Sequence, residues 1–229
     1  RDRDPKLNEV CERAADLCKA DLLTGVVGEF PELQGVMGGE YATHDGESDG
    51  VSQAIREQYL PRSLEGELPR TLAGQVLSLA DRLDSIASFF HVGLIPTGSE
   101  DPFALRRNAT AIVRIILEGN LRMDLGRYIH TASSLVSDDG FKGMPDSEQQ
   151  SVRRIAEFVF ERVRHYGRVV HVLRDDAIEA VLKPAHDQAL DLVDLVLRMK
   201  SLQSVTTKVE FDPLIVGFKR AHRLVEKEQ

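Results

Sequence analysis

Residues 21–47 read DLLTGVVGEFPELQGVMGGEYATHDGE and lie between a helical pattern and a polar, glycine-rich loop. Before this stretch, apolar residues recur every three or four positions, which is typical of one face of an amphipathic helix. They are Leu7, Val10, Cys11, Ala14, Leu17 and Cys18. Pro31 predicts the start of a new turn or helix. Gly35, Gly38 and Gly39 predict tight packing or a helix end, because no strand precedes them as a phosphate-binding loop requires.

The same spacing recurs along the whole chain and predicts an all-α fold. We expect helices at about 51–60, 72–91, 103–117, 152–163, 175–182, 189–202 and from 213 onward. Asp101 and Pro102 are a typical cap and first position for the helix that follows them, and Asp212 and Pro213 repeat this pattern. Residues 205–211 are rich in β-branched side chains and predict either a short strand or an extended linker. Residues 138–147 predict a loop.

Composition limits the class of protein. The chain has 229 residues, 42% of them hydrophobic, and a net charge of −8. An acidic balance opposes non-specific binding of nucleic acid, so an RNA contact would need a local basic face. Cys11 and Cys18 indicate free thiols in a reducing cytoplasm. The chain begins at Arg1 with neither an apolar leader nor a membrane-spanning run, so we expect a piece of a longer cytoplasmic protein with no membrane partner.

The dipeptide His44-Asp45 invites comparison with metal-dependent phosphohydrolases of the HD family. In that family a histidine and an aspartate on a buried helix face a divalent ion. Here the pair lies in a glycine-rich loop, which favours an exposed turn. The other histidines are scattered without metal-ligand spacing, and no Walker or GxSxG motif is present.

Several phrases in a fixed order resemble the β subunit of the bacterial two-subunit glycyl-tRNA synthetase. They are KADLLT (19–24), GEFPELQGVMG (28–38), EQYLPR (57–62), ADRLDS (80–85), IPTGSEDPFALRRNA (95–109), IVRIILE (112–118) and FKRAHRLV (218–225). The resemblance implies a degenerate HD-like helical domain at 1–118. It also implies a helical linker region at 119–229, which would precede an anticodon-binding domain that is absent from this sequence.

By this resemblance, the metal-binding positions of the HD family are altered in this chain. Lys19 and Asp21 stand where an HD protein has its His-Asp pair, Asp81 stands at the last metal aspartate, and Gln58 stands where further histidines occur. A charged lysine cannot bind a metal ion, so we expect Lys19 to form a buried salt bridge with Asp21 or Asp81. We therefore predict no metal site and no catalytic residue in this chain.

The resemblance also implies a function. In that enzyme the α subunit carries the active site that uses ATP and Mg²⁺, and the β subunit mainly grips tRNA. This chain would then be a non-catalytic scaffold and tRNA-contacting segment of glycine–tRNA ligase without a cofactor of its own. Its partners would be tRNA(Gly), the α subunit and the rest of the β subunit. Two alternatives stay open: a metal-dependent HD-type phosphohydrolase, and a purely structural helical spacer.

Two groups of basic residues are candidates for RNA binding. Arg106 and Arg107 are neighbours on one predicted helix, where their side chains point about 100° apart, so one can pair internally while the other faces out. Lys219, Arg220 and Arg223 form the second group. For both groups, salt bridges to the acidic surplus are the alternative to a phosphate contact.

Overall fold

The computed structural model describes residues 4–98, 100–138, 148–184 and 190–226. These residues form eleven α-helices and two short 3₁₀ helices, Ala20–Leu23 and Pro31–Leu33. The α-helices are α1 Pro5–Leu17, α2 Gly25–Glu29, α3 Val36–His44, α4 Asp49–Glu57, α5 Leu72–His91, α6 Leu105–Glu118, α7 Leu125–Asp138, α8 Glu148–Val170, α9 Asp175–Leu182, α10 Leu192–Val205 and α11 Phe211–Glu226. The described ranges contain no strand beyond one isolated bridge between Thr97 and Glu100. The predicted all-α fold is confirmed.

Helix α5 is the centre of the molecule and packs against α1, α4, α6, α7 and α8. Its inner face meets the wide apolar face of α6, where Ile112, Val113 and Ile116 are fully buried. Burying one such side chain contributes roughly 1.5–3 kcal/mol relative to leaving it in water. The main core continues into α7–α10, so it includes side chains from both sides of Glu118. The predicted domain boundary after that residue remains a prediction.

A second, smaller core joins α1, α3 and α4 to the start of α5. Helices α3 and α4 lie very close together because Gly39 has no side chain. A Cβ atom there would lie 2.3 Å from Arg56 Cγ and 2.8 Å from the Ser52 carbonyl oxygen. Gly35 precedes α3 with a φ of 81°, a conformation that favours glycine. Tight packing of the glycines is confirmed, and Gly35 marks the beginning of a helix.

Helix boundaries differ from expectation near the two Asp-Pro pairs. Helix α6 begins at Leu105, because Ala104 has a left-handed backbone with a φ of 55°. Asp101 still caps it, since its carboxylate accepts hydrogen bonds from the Leu105 and Arg106 N–H groups at 2.8 and 3.0 Å. At the other pair, α11 already begins at Phe211, so Asp212 and Pro213 lie inside its first turn.

The remaining predictions have different outcomes. Pro31 starts a 3₁₀ helix as predicted. Residues 205–211 form the end of α10, a turn and the start of α11, so the strand alternative is wrong. Helix α7 has no counterpart among the predicted helices. The loop predicted at 138–147 falls mostly outside the described residues. No helix in the described ranges combines the length and apolar character needed to cross a membrane.

Candidate functional site

Lys19, Asp21, Gln58 and Asp81, the four residues compared with the HD family, lie where the end of α1 meets α4 and α5. Lys19 Nζ lies 2.5 Å from Asp81 Oδ1 on α5. The same ammonium group lies 3.4 Å from the Tyr59 hydroxyl and 4.8 Å from the centre of the Tyr59 ring. Of the two carboxylates considered for Lys19, Asp81 is therefore the partner. The pair is only partly buried, because 47% of the Lys19 side chain remains exposed.

The ion pair changes the acid–base behaviour of Lys19. Partial burial disfavours its charge, but the hydrogen bond from its ammonium group to Asp81 and the attraction of that carboxylate outweigh burial. The pKa of Lys19 is therefore raised above its usual value, and the ammonium group stays charged. A permanent cation at this position repels a divalent metal ion.

Asp21 is fully buried and serves the backbone. Its Oδ2 atom accepts hydrogen bonds from the N–H groups of Gly35 and Gly38 at 2.6 and 3.1 Å. These groups lie at the N-terminus of α3, where unpaired N–H groups and the helix dipole favour a carboxylate. Gly38 also lets the chain approach, since a Cβ atom there would lie 3.1 Å from Asp21 Oδ2. Asp21 is thus a helix cap from a distant part of the chain.

Gln58 is likewise fully buried. Its Nε2 atom donates a 2.6 Å hydrogen bond to the Cys18 carbonyl oxygen, which ties the end of α4 to the end of α1. The four positions therefore supply two engaged carboxylates, one amide and one cation. Three or more metal-binding side chains do not come together anywhere in the described ranges. The residues of this cluster do not fit a divalent metal.

The dipeptide His44-Asp45 lies at the exposed end of α3. Its two side chains are 88% and 75% exposed and touch each other across 3.3 Å. His44 ends the helix and Asp45 follows it as the C-cap. The predicted exposure of this pair is confirmed, but the predicted loop begins only after His44, which is still helical.

Two buried charged residues beside this cluster were not predicted from the sequence. The first is Arg82, whose guanidinium group donates to the carbonyl oxygens of Tyr59 and Pro61 at 3.0 and 3.2 Å. It also donates to Asn108 Oδ1 at 2.9 Å and Ser78 Oγ at 3.2 Å. Burial lowers the pKa of Arg82, and nearby Asp81 opposes that shift. One arginine thereby joins the segment after α4 to α5 and α6.

The second missed charge is Glu57, which is 3% exposed. Its Oε2 atom accepts hydrogen bonds from the Thr71 N–H and hydroxyl groups at 3.0 and 2.7 Å. Thr71 in turn caps α5 by accepting from the Gly74 N–H group at 3.0 Å. The segment EQYLPR (57–62) is therefore hydrogen-bonded to the end of α1 through Gln58, and to α5 and its N-cap through Glu57, Tyr59 and Pro61. Arg82 could have been found from sequence, since it lies in the apolar stripe of Leu79, Leu83 and Ile86 on α5.

The two adjacent arginines of α6 have different surroundings. Arg106 is half-buried and donates to the carbonyl oxygens of Gly98 and Glu100 at 2.8 and 3.3 Å. It closes the loop before α6, which Phe103 also holds by stacking on Phe89 with ring centres 4.2 Å apart. The Arg107 side chain is exposed and forms no hydrogen bond or ion pair with any described residue. The expected division between one internal and one outward arginine is confirmed.

The second basic group lies on α11. Lys219, Arg220 and Arg223 are exposed and form no ion pair within the described part of the chain. The same helix exposes apolar side chains, with Leu214 at 64% and Phe218 at 65%. Most other described arginines are paired with carboxylates. Examples are Arg13 with Glu47, Arg114 with Glu118, Arg122 with Asp191 and Arg164 with Glu157.

Comparison with known proteins gives a consistent result. A family model described as "Glycyl-tRNA synthetase beta subunit" matches residues 3–183. The "Glycine--tRNA ligase beta subunit" of Citrifermentans bemidjiense is 42% identical over 227 residues, which cover 97% of this chain and 31% of that protein. The protein of the same name from Acaryochloris marina is 41% identical over 228 residues, covering 98% and 31%. The chain thus spans about a third of the length of these curated relatives.

Proposed function

Because this chain belongs to the glycyl-tRNA synthetase β-subunit family, we propose that it is a non-catalytic, tRNA-contacting scaffold segment of glycine–tRNA ligase. The family match over residues 3–183 is the single observation that carries this assignment. In this proposal, the enzyme is cytoplasmic and its α subunit performs aminoacylation with ATP and Mg²⁺. This segment helps to bind tRNA(Gly). The rest of the β subunit is its third partner.

The cluster around Lys19 supports a non-catalytic role. A phosphohydrolase of the HD type needs several side chains free to bind a metal ion. Here Asp21 accepts hydrogen bonds from two backbone N–H groups, and Asp81 is paired with Lys19. Each carboxylate therefore has one oxygen engaged by a donor within the chain, while Asp21 Oδ1 is buried without a hydrogen-bond partner among the described residues. This arrangement opposes the phosphohydrolase alternative.

Charge distribution selects the RNA-contact candidates. A guanidinium group binds phosphate well when its N–H donors are not used elsewhere. Arg106 spends its donors on the Gly98 and Glu100 carbonyl oxygens, so we assign it a structural role. The Arg107 side chain is exposed and unengaged, a state that Arg127 and Arg153 share within the described ranges. Arg107 is the first candidate because it also lies in the family-like stretch IPTGSEDPFALRRNA (95–109). Lys219, Arg220 and Arg223 on α11 are the second.

Titration with tRNA(Gly) at several salt concentrations tests this assignment. We expect Arg107→Ala to weaken binding several-fold and to reduce the dependence of log affinity on log salt by slightly less than one, because one phosphate contact is lost. Arg70→Ala is the matched control, since Arg70 is also exposed and only faces Glu67 on the surface. It should leave both quantities unchanged.

The outcomes separate the alternatives. If Arg107→Ala and the triple alanine variant of Lys219, Arg220 and Arg223 both bind like the wild type, neither group touches tRNA. If the wild-type chain does not bind tRNA at all, the structural-spacer alternative is favoured. Arg106→Ala is unsuitable as a test, because loss of its loop contacts would alter folding and binding together.

A further inference from the structure

An exposed apolar surface lies at the start of the most distinctive segment of the sequence. Leu23 is 91% exposed, and Leu22, Val26, Phe30 and Val36 are between 39% and 47% exposed. These five residues, which we call the Leu23 surface, lie on the first 3₁₀ helix, on α2 and the residue that follows it, and at the first position of α3. Clustered apolar exposure of this kind marks an interaction site more often than an isolated exposed leucine does.

Hydrogen bonds from other parts of the chain fix the backbone that carries the Leu23 surface. Arg62 donates two hydrogen bonds of 2.6 Å, to the carbonyl oxygens of Glu32 and Gln34. Asp21 fixes the beginning of α3 through the N–H groups of Gly35 and Gly38. A preformed surface loses little conformational entropy when it binds a partner. The exposed side chains are therefore presented by a fixed backbone.

The charges of this region select the class of partner. Residues 20–55 contain no lysine or arginine. Glu29 and Glu32 lie within the same segment of the chain, and their side chains are exposed and form no hydrogen bond or ion pair with any described residue. Such a surface repels nucleic acid phosphates and complements a partner whose apolar face is bordered by lysine or arginine. A protein is favoured over RNA.

The apolar character also favours a separate subunit over another domain of the same chain. Contacts between domains of one chain tend to be polar, whereas permanent subunit interfaces are more hydrophobic. We propose that the Leu23 surface binds the α subunit of glycine–tRNA ligase through an apolar α-subunit face bordered by basic residues. This inference rests on the proposed function, which supplies a separate α subunit.

Binding of the purified α subunit to this chain, measured by calorimetry or sedimentation, tests the inference. Leu23→Glu places a charge in the centre of the surface and should weaken binding on the order of tenfold or more. Phe30→Ala should act in the same direction by removing contact area. Leu135→Glu is the matched control, because Leu135 is also strongly exposed, at 62%, and lies on α7, whose inner side chains belong to the main core; it should bind like the wild type. Circular dichroism and melting temperature confirm that each variant is folded.

Salt provides a second readout. The affinity of the wild-type chain should fall with rising salt, and the Glu29→Gln/Glu32→Gln double variant should show a weaker dependence. If the α subunit binds the wild type, Leu23→Glu and Phe30→Ala equally, the Leu23 surface is not its site, although the proposed function stands. If the α subunit does not bind the wild type, both are overturned. Self-association that Leu23→Glu abolishes, with α-subunit binding unchanged, would identify a second copy as the occupant instead.

Discussion

Lys19 places an ammonium group between α1 and α5, and its partner there is Asp81 at 2.5 Å. The sequence indicated this lysine and two possible carboxylate partners, Asp21 and Asp81. It could not choose between them, because Asp21 is close in sequence but is turned inward to cap α3. The choice depends on how three helices meet. Nor could it give the burial, since half of the lysine side chain remains in solvent.

A double-mutant cycle with Lys19→Met and Asp81→Asn measures this pair. We expect a coupling free energy of roughly 0.5–1 kcal/mol at neutral pH, because solvent screens a partly exposed pair. The pKa of Lys19 is raised in the folded state, so the coupling is fully present below the usual lysine pKa near 10.5. It should disappear as the pH rises through the higher pKa of the folded protein. Denaturant unfolding at pH 7 and above pH 11 makes the comparison, and a coupling that is unchanged at high pH would contradict the assignment.

Arg82 shows a second limit on what could be predicted from the sequence about a single residue. Its position in an apolar stripe could have indicated burial, but its partners could not be read from sequence. They are mostly neutral oxygens, among them the Tyr59 and Pro61 carbonyls. Carbonyl groups are present at every residue, so a sequence pattern does not show which ones an arginine will meet.

Among the elements, α5 was predicted with the observed bounds because its apolar spacing is regular over twenty residues. Helix α7 was missed. Its inner positions Leu125, Ile129 and Val136 are separated by serine, threonine and glycine residues, which have modest helix propensity. Packing against α5 and α8 stabilises it, and such tertiary contacts are not visible in a local pattern.

The packing of α3 on α4 gives a prediction at this scale. Gly39→Ala should destabilise the chain by roughly 1–3 kcal/mol, because its Cβ would lie 2.8 Å from the Ser52 carbonyl oxygen, which belongs to the backbone of α4. Gly28→Ala is the control. Gly28 is also helical but has nothing within 4 Å of its Cβ position, so alanine should be neutral or stabilising by up to about 1 kcal/mol. Urea unfolding measures both variants, and equal effects would show that the two helices can separate without cost.

On the scale of the whole molecule, many charged side chains in the described ranges form hydrogen bonds or ion pairs with other parts of the same chain. Glu57 and Asp21 support helix N-termini, and Arg62, Arg82 and Arg106 bind carbonyl oxygens. The all-α class was predictable from spacing alone. The functional assignment was not, because it depended on ordered phrases whose residues turn out to be largely structural.

We expect this chain alone to give no glycine-dependent exchange of pyrophosphate into ATP. It lacks a recognisable ATP-binding motif, and the proposed function places glycine activation in the α subunit. The assay should show exchange when the α subunit is added in its active assembly, which serves as the positive control. Exchange by the purified chain, surviving extensive washing and lost on denaturation, would overturn this division of roles.

The absence of lysine and arginine from residues 20–55 also has a consequence for peptide mapping. Trypsin cleaves only after these two residues, so complete digestion leaves Ala20 to Arg56 in one piece. The entire Leu23 surface then travels in a single peptide, which a mass spectrometer reports as one signal. Lysine-directed cross-linking reagents have no attachment point within it. A protease that cuts after glutamate would divide the segment at Glu29 and Glu32, beside the side chains proposed to meet the α subunit.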